Sequence, residues 1–171
     1  MDVRLADRRS AQSVGTEFRE VMAGVCTPVS VVTAMDGKRP HGTTVSAFAS
    51  LSMDPPMVLV SLDRGSALLA VVRETGSFGV NILSHAQSDT AMQFARKGSD
   101  KFVGTSWTSS GGLPRLHGTA GWLACDLVDL VDGGDHVLAY GGIVEAVASP
   151  APPLTYHART FGTHCAAEVT P

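Results

Sequence analysis

The stretch from His41 to Leu62 constrains this chain more than any other. Between Thr43 and Ser52 nearly every second residue carries a hydroxyl or is small, with Val45, Phe48 and Leu51 set among them. Pro55-Pro56 then breaks the backbone, and Met57-Val-Leu-Val-Ser-Leu62 reads as a buried strand. A core strand has no need of Thr43, Thr44, Ser46, Ser50 and Ser52 so close together. Hydroxyls and free backbone N–H groups beside small side chains suit a flat polar ring or a phosphate. An edge strand with a solvated hydroxyl face running into a turn fits the same residues.

The bulk properties narrow the setting. A chain of 171 residues suits one domain with a single core. With 44% apolar and 17% charged residues it has an ordinary globular composition. A net charge of −3 and a pI near 6.0 argue against a nucleic-acid partner. Cys26, Cys125 and Cys165 are odd in number and far apart, so neither a disulfide framework nor a metal site is expected. The N-terminus has no apolar signal core and no stretch is long enough to span a bilayer, so no membrane association and a cytoplasmic location are expected. Residues 1–13 read as a flexible leader, 14–165 as the single domain and 166–171 as a tail.

In chain order, a helix opens at Thr16-Glu17 and carries an apolar stripe of Phe18, Val21, Met22 and Val25 until Pro28 ends it. Val29 to Met35 is β-branched and reads as a strand, with Asp36-Gly37 as a hairpin turn. After the strand 57–62, Asp63 or Ser66 caps a short helix, Ala67 to Arg73; a capped helix N-terminus suits either simple capping or phosphate. Phe78 to Ser84 is a strand in which Asn81, if buried, needs partners. His85 to Lys97 is a helix, and Arg96, Lys97 and Lys101 with Ser99 offer cations and a hydroxyl to a phosphate or simply to solvent. Val103 to Leu116 reads as one long surface loop anchored by Trp107. Thr119 to Leu130 and Asp135 to Val147 form a hairpin, with Gly141-Gly142 marking a bulge or a close approach. His136 beside Asp135 has a fixed tautomer and a hydrogen bond to offer, or is a satisfied surface histidine.

Four motifs carry a resemblance. They are Gly42-x-Thr-x-Ser-x-Phe-x-Ser-x-Ser-x-x-Pro-Pro56, Phe78-x-Val-Asn-Ile-Leu83, Gly134-Asp-His136 and Leu154-x-Tyr-x-x-Arg-x-Phe-Gly162. Together they make the chain, from about Phe18 to Gly162, resemble the flavin reductase family, the small reductase components of two-component flavin monooxygenases. The resemblance implies a mainly β (α+β) fold: a split, FMN-binding-like β-barrel of Greek-key type with two or three flanking helices. It also implies a homodimer, FMN or FAD as flavin, NADH or NADPH as co-substrate, and a separate partner monooxygenase.

The site residues are inherited from the same likeness. Thr44, Val45, Ser46 and Ala47 would line the flavin ring; Ser50, Leu51 and Ser52 would reach its ribityl chain or phosphate, with Ser66 and Lys101 nearby. Asn81 and Phe102 would border the ring, and Tyr156, Arg159 and Phe161 would cover it or meet the partner subunit. Asp135 and His136 would orient the nicotinamide. No acid, base or nucleophile is strictly required, because the cofactors carry the hydride chemistry and the protein only has to stack and orient them. There is no Gly-x-Gly-x-x-Gly after a strand, Walker A loop, nucleophile elbow or His-Glu-x-x-His. The rival reading is a non-enzymatic flavin or haem carrier, or a sensor, on the same barrel.

Overall fold

The computed structural model describes residues 11–98 and 101–167. The leader up to residue 10, Ser99 and the tail beyond residue 167 lie outside the described residues.

The fold turns on a short link. Strand β3 (Arg39–Val45) and strand β4 (Phe48–Met53) follow each other with only Ser46 and Ala47 between them. Yet they sit at opposite ends of one seven-stranded antiparallel sheet, whose order is β3-β2-β6-β9-β10-β5-β4. Three Cα–Cα steps span at most about 11 Å. The sheet therefore has to curl until its two edges nearly meet. No ladder joins β3 to β4, so the curled sheet stays open there, which is the split barrel expected from the resemblance.

The other main-sheet strands are β2 (Ser30–Asp36), β5 (Pro56–Asp63), β6 (Ser77–Ile82), β9 (Gly121–Gly133) and β10 (His136–Ala148). Their inward residues build the main core: Val32, Val58, Val60, Leu62, Phe78, Val80, Val137 and Ala139. Helix α2 (Ala67–Thr75) closes it with Leu68, Leu69, Val71 and Val72. Ser66 caps α2 by accepting from the Leu68 N–H, and Gly76 ends it in the left-handed conformation. Gly141 is a true close approach: a Cβ there would lie 2.5 Å from the Phe78 ring. The ladder to β9 shifts register at Tyr140/Gly141, as the Gly-Gly pair suggested.

Three expectations are corrected. First, helix α1 begins before Thr16 and stops short of Pro28, running Ala11–Ala23, so Val25 falls beyond it; Phe18, Val21 and Met22 on the helix and Val25 after it are all exposed. Second, α3 is confined to Ser88–Ala95, because Gln87 Oε1 accepts from the Ser84 N–H and holds the preceding residues in a turn. Third, the stretch 103–116 is not one loop. It contains a hairpin of β7 (Trp107–Ser110) and β8 (Leu113–Leu116), turned by Gly111 and Gly112 at positive φ. Trp107 does anchor it, edge-on to Phe102 at 5.7 Å.

That hairpin explains Asn81. The side chain is fully buried on β6, and Nδ2 donates to the carbonyls of Val31 and Pro114 and to Thr33 Oγ1. Its Oδ1 accepts from the Leu116 N–H at 2.7 Å. Thr33 Oγ1 also donates to Pro114 O. Asn81 therefore pins β8 against the sheet; it is fully buried and borders none of the cavities described below, away from the ring position expected for it. A small sheet of β1 (Thr27–Pro28), β11 (Leu154–His157) and β12 (Thr160–Thr163) completes the fold.

Replacing Asn81 by Leu leaves the buried Leu116 N–H without its partner, while Pro114 O keeps only the bond from Thr33 Oγ1. We expect a loss of about 2–4 kcal/mol in urea unfolding, with flavin affinity of the folded protein unchanged. A large loss of flavin affinity at unaltered stability would place Asn81 at the ligand after all.

Candidate flavin groove

The open edge of the barrel creates a groove. A cavity of about 200 Å³ runs under Thr43 to Ala47 and reaches Ser61, Leu62, Asp63, Ser66 and His136. On the other side of the same strand end a cavity of about 240 Å³ is walled by Val29, Ala91, Met92, Ala95, Tyr156 and Phe161, with Thr44 and Ser46 on its floor. A third, of about 530 Å³, continues from Thr43 and Ser66 past Gly42, His41, Pro40 and Arg39 to Lys101 and Phe102. The first shares Thr44 and Ser46 with the second, and Thr43 and Ser66 with the third, so all three lie along the edge strand.

The hydroxyls of this strand divide into two kinds. Thr44 Oγ1 donates to Ala91 O at 2.7 Å and ties β3 to α3. Ser46 is exposed, and no hydrogen bond joins its hydroxyl to any described residue. Val45 turns its side chain into the core, while its carbonyl accepts from Ser30 Oγ. Ala47 O accepts from the Ser61 N–H, locking the link to β5.

Beyond the strand, Ser66 stands where the N-terminus of α2 opens into the groove, so N–H groups and a hydroxyl converge there. Lys101 reaches the same region; its ammonium donates to Gly42 O and Phe94 O, and burial lowers its pKa. One N–H of the three remains. Gly42 lets the Phe94 ring close in on the strand, since a Cβ would lie 2.8 Å from it. Phe102 packs edge-on to Phe94 at 4.9 Å and presents itself to the larger cavity.

At the other wall, Asp135 Oδ1 accepts from His136 Nδ1–H at 2.8 Å. This hydrogen bond holds the exposed Asp135 carboxyl below the usual carboxylate range. It leaves Nε2 as the free ring nitrogen of His136, a residue that borders the 200 Å³ cavity. Tyr156 and Phe161 stack tilted at 5.2 Å over the apolar side.

Several expected residues lie elsewhere. Ser50, Leu51 and Ser52 line none of these cavities. They pair with the start of β5, near Met57 and Val58, whereas the groove opens at its end, Ser61–Asp63. That is about 10–15 Å further along the strand. Arg159 points away to an ion pair with Glu20 on α1. Asn81 is interior, as described above.

Two residues that sequence reasoning passed over, Arg39 and His41, border the 530 Å³ cavity, the largest of these three. His41 Nε2 is cut off from water with no hydrogen-bond partner; the Asp36 carboxylate lies 3.9 Å away. Burial, then the charge of Arg39, lower its pKa, against a smaller opposing effect of Asp36. The alternation in Arg39-Pro-His41 after the Asp36-Gly37 turn was the available signal.

The groove thus offers hydroxyls and backbone on an open strand edge, apolar and aromatic walls, and a helix N-terminus with a lysine at one end. This donor set fits a flat, partly apolar ring carrying a phosphorylated side chain. It defines the class of a flavin-binding split barrel. The flavin reductase like domain matches residues 22–164, and the chain belongs to that family. It is 35% identical over 148 residues to the reductase subunit HsaB of a flavin-dependent monooxygenase of Rhodococcus jostii (strain RHA1), covering 85% of this chain and 76% of that protein. It is 36% identical over 165 residues to the NADH:riboflavin 5'-phosphate oxidoreductase of Streptomyces pristinaespiralis, covering 92% and 93%. The NADH:FAD oxidoreductase of Streptomyces globisporus C-1027, solved with NAD and FAD fragments, superposes with a TM-score of 0.85 at 26% identity, covering 96% of this chain and all of that one.

His41 gives this site a pH signature. A histidine whose folded pKa lies below its unfolded value near 6.5 opposes protonation in the folded state. Its contribution is intact above that unfolded value and is lost as pH falls below it. We expect the drop in urea stability from pH 7.5 to 5.5 to be smaller in His41→Phe than in the unaltered chain; equal drops would show the ring to be indifferent to its surroundings.

Proposed function

We propose that this chain is an NAD(P)H:flavin oxidoreductase whose groove along Thr44–Ala47 holds FMN or FAD and which hands reduced flavin to a separate monooxygenase. The observation that carries the site assignment is the convergence of the Gly134-Asp-His136 turn and the open strand edge on one cavity. Two motifs more than 80 residues apart in sequence meet there.

The roles follow from position. The Ser46 hydroxyl and the backbone around Val45 and Ala47 hold the ring edge. Ser66, the α2 N-terminus and the remaining N–H of Lys101 hold phosphate. Phe102, Tyr156 and Phe161 exclude water from the ring's surroundings. His136, its tautomer fixed by Asp135, offers Nε2 to the carboxamide of the nicotinamide. When bound, the flavin supplies the hydride-accepting ring; the protein's share is orientation and exclusion of water.

We further propose a homodimer. Edge strand β4 is exposed and apolar, with Leu51 at 40% and Met53 at 84% exposure, and such an edge calls for a cover. Beside it the outer sheet face carries Met57, Leu59, Leu138 and Tyr140, all only half-buried. A second copy in the same orientation would cover both faces at once. Three free cysteines fit a reducing, cytoplasmic setting. Among the described residues no helix is long and apolar enough to cross a membrane.

Two measurements test these assignments. Anaerobic assay with flavin and NADH should show flavin-dependent oxidation, and His136→Ala should raise the KM for NADH about tenfold or more while flavin affinity holds. Flavin binding without any NADH oxidation would leave a carrier. Sedimentation should give a dimer that Met53→Lys with Leu51→Lys converts to a folded monomer; a monomeric unaltered chain would sink the dimer.

A further inference from the structure

His136 follows an exposed turn, and a ring that is to meet a ligand in one orientation needs that turn held. Asp132, Gly133, Gly134 and Asp135 are all exposed, so no buried side chain anchors it. The ladder between β10 and β5 starts at His136 opposite Asp63 and leaves the turn outside it. Gly134 takes a φ of 69° at the tip. The residue after Asp63 supplies the support. The Arg64 N–H donates to Asp135 O at 3.0 Å. Its guanidinium donates from Nη1 to Asp132 Oδ1 at 2.9 Å and from Nη2 to Gly134 O at 3.1 Å. Among the described residues, no other side chain from outside the turn hydrogen-bonds to residues 132–136.

The base of this clamp is itself fixed. Asp63 Oδ1 accepts from the Gly65 N–H at 2.7 Å, and Asp63 O accepts from the Ser66 N–H at 2.9 Å, so Arg64 sits in a tight turn between β5 and α2. A planar fork that reaches a carboxylate and a carbonyl together sets direction as well as distance. The Arg64–Asp132 pair is exposed on both sides, so it adds little to overall stability. Its effect is local, on the backbone that leads into His136. Resting on the reading of His136 as the group that meets the nicotinamide, we propose that Arg64 is a positioning residue for the co-substrate: it clamps the Asp132–Asp135 turn so that His136 is presented to the cavity under Thr43–Ala47 in one orientation. Arg64 acts through His136 and not by contact with NADH.

The test uses the full chain with Arg64→Ala, Arg64→Lys and Asp132→Ala, and Arg64→Ala again in a His136→Ala background. Thermal melting confirms that each variant is folded. In Arg64→Ala the KM for NADH rises about three- to tenfold, as the loss of one or two hydrogen bonds implies, while kcat and FMN affinity change less than about twofold. Arg64→Lys keeps the charge, loses the fork and restores the KM only in part. Asp132→Ala leaves the bond to Gly134 O and raises the KM less than Arg64→Ala does. In the His136→Ala background Arg64→Ala adds nothing, because the group it positions is gone. Amide hydrogen exchange of residues 133–136 quickens severalfold in Arg64→Ala, a readout that needs no turnover. An unchanged KM in Arg64→Ala overturns the proposal. So do effects of Arg64→Ala and His136→Ala that multiply, which would make Arg64 a direct contact of NADH, and an FMN affinity that falls in step with the KM, which would mean general loosening. A chain whose turn loosens in Arg64→Ala but which oxidises no NADH would sink the reductase reading and leave the clamp standing.

Discussion

The structure depends on the two residues Ser46 and Ala47, which carry the chain between the two outermost strands of one sheet. A link this short cannot span a flat seven-stranded sheet, whose edges would stand roughly 28 Å apart at the usual strand spacing. Curling is therefore imposed by chain connectivity, before any side chain is considered. The same link leaves the end of β3 without a strand partner on one side. Unpaired edge backbone is ordinarily a hazard. Here α3, the β11–β12 sheet and the 101–102 segment stand around it, and the hazard becomes a sheltered groove.

Shelter has to be built from something rigid, and the supporting contacts are hydrogen bonds to backbone, buried or half-buried for the most part. Thr44 fixes α3 to the edge strand, Ser30 fixes the Val45 carbonyl, and Lys101 spans the Gly42 and Phe94 carbonyls. Gln93 holds the next segment through the carbonyls of Lys101 and Val103. On the far side of the sheet, Asn81 does the same for β8. Each is a polar group whose alternative, left unpaired in the interior, would be costly. Ser30, Gln93 and Asn81 line none of the groove's cavities, whereas Thr44 and Lys101 both brace the groove and border it.

This division explains what could be read from the sequence. The strand-turn-strand pattern of 29–62, the hairpin 121–148 and the capped helix after Ser66 are local signals, and each stands where periodicity and turn residues put it. The hairpin 107–116 was legible too, since Gly111-Gly112 between short β-prone runs is a turn signal; the density of glycine and serine masked it. Other features have no local signal. An apolar stripe such as Phe18, Val21, Met22 and Val25 states that a helix has an apolar face, not what covers it. A run of hydroxyls does not say which oxygens are consumed by neighbours: Thr44 and Ser46, two residues apart, have opposite fates. Ser50 and Ser52 share their spacing but lie past the bend, and the register of β4 on β5 takes them away from the groove. Asn81 in an apolar strand signalled a buried polar partner, and only the fold shows that the partner is a hairpin.

The residues that border the groove offer shape, hydroxyls and backbone more than acid or base. Hydride transfer between two bound rings needs proximity and orientation more than acid or base. Such a site is selected for shape, which is distributed over many small contacts. It is accordingly more legible as a set of motifs meeting at one cavity than as any single residue. His136 comes closest to a single decisive residue, and even there the turn through Gly134 and the carboxylate of Asp135 decide which nitrogen it presents. The position of that turn follows from the pairing of β10 with β5, His136 opposite Asp63, and so from the same curled sheet that opens the groove.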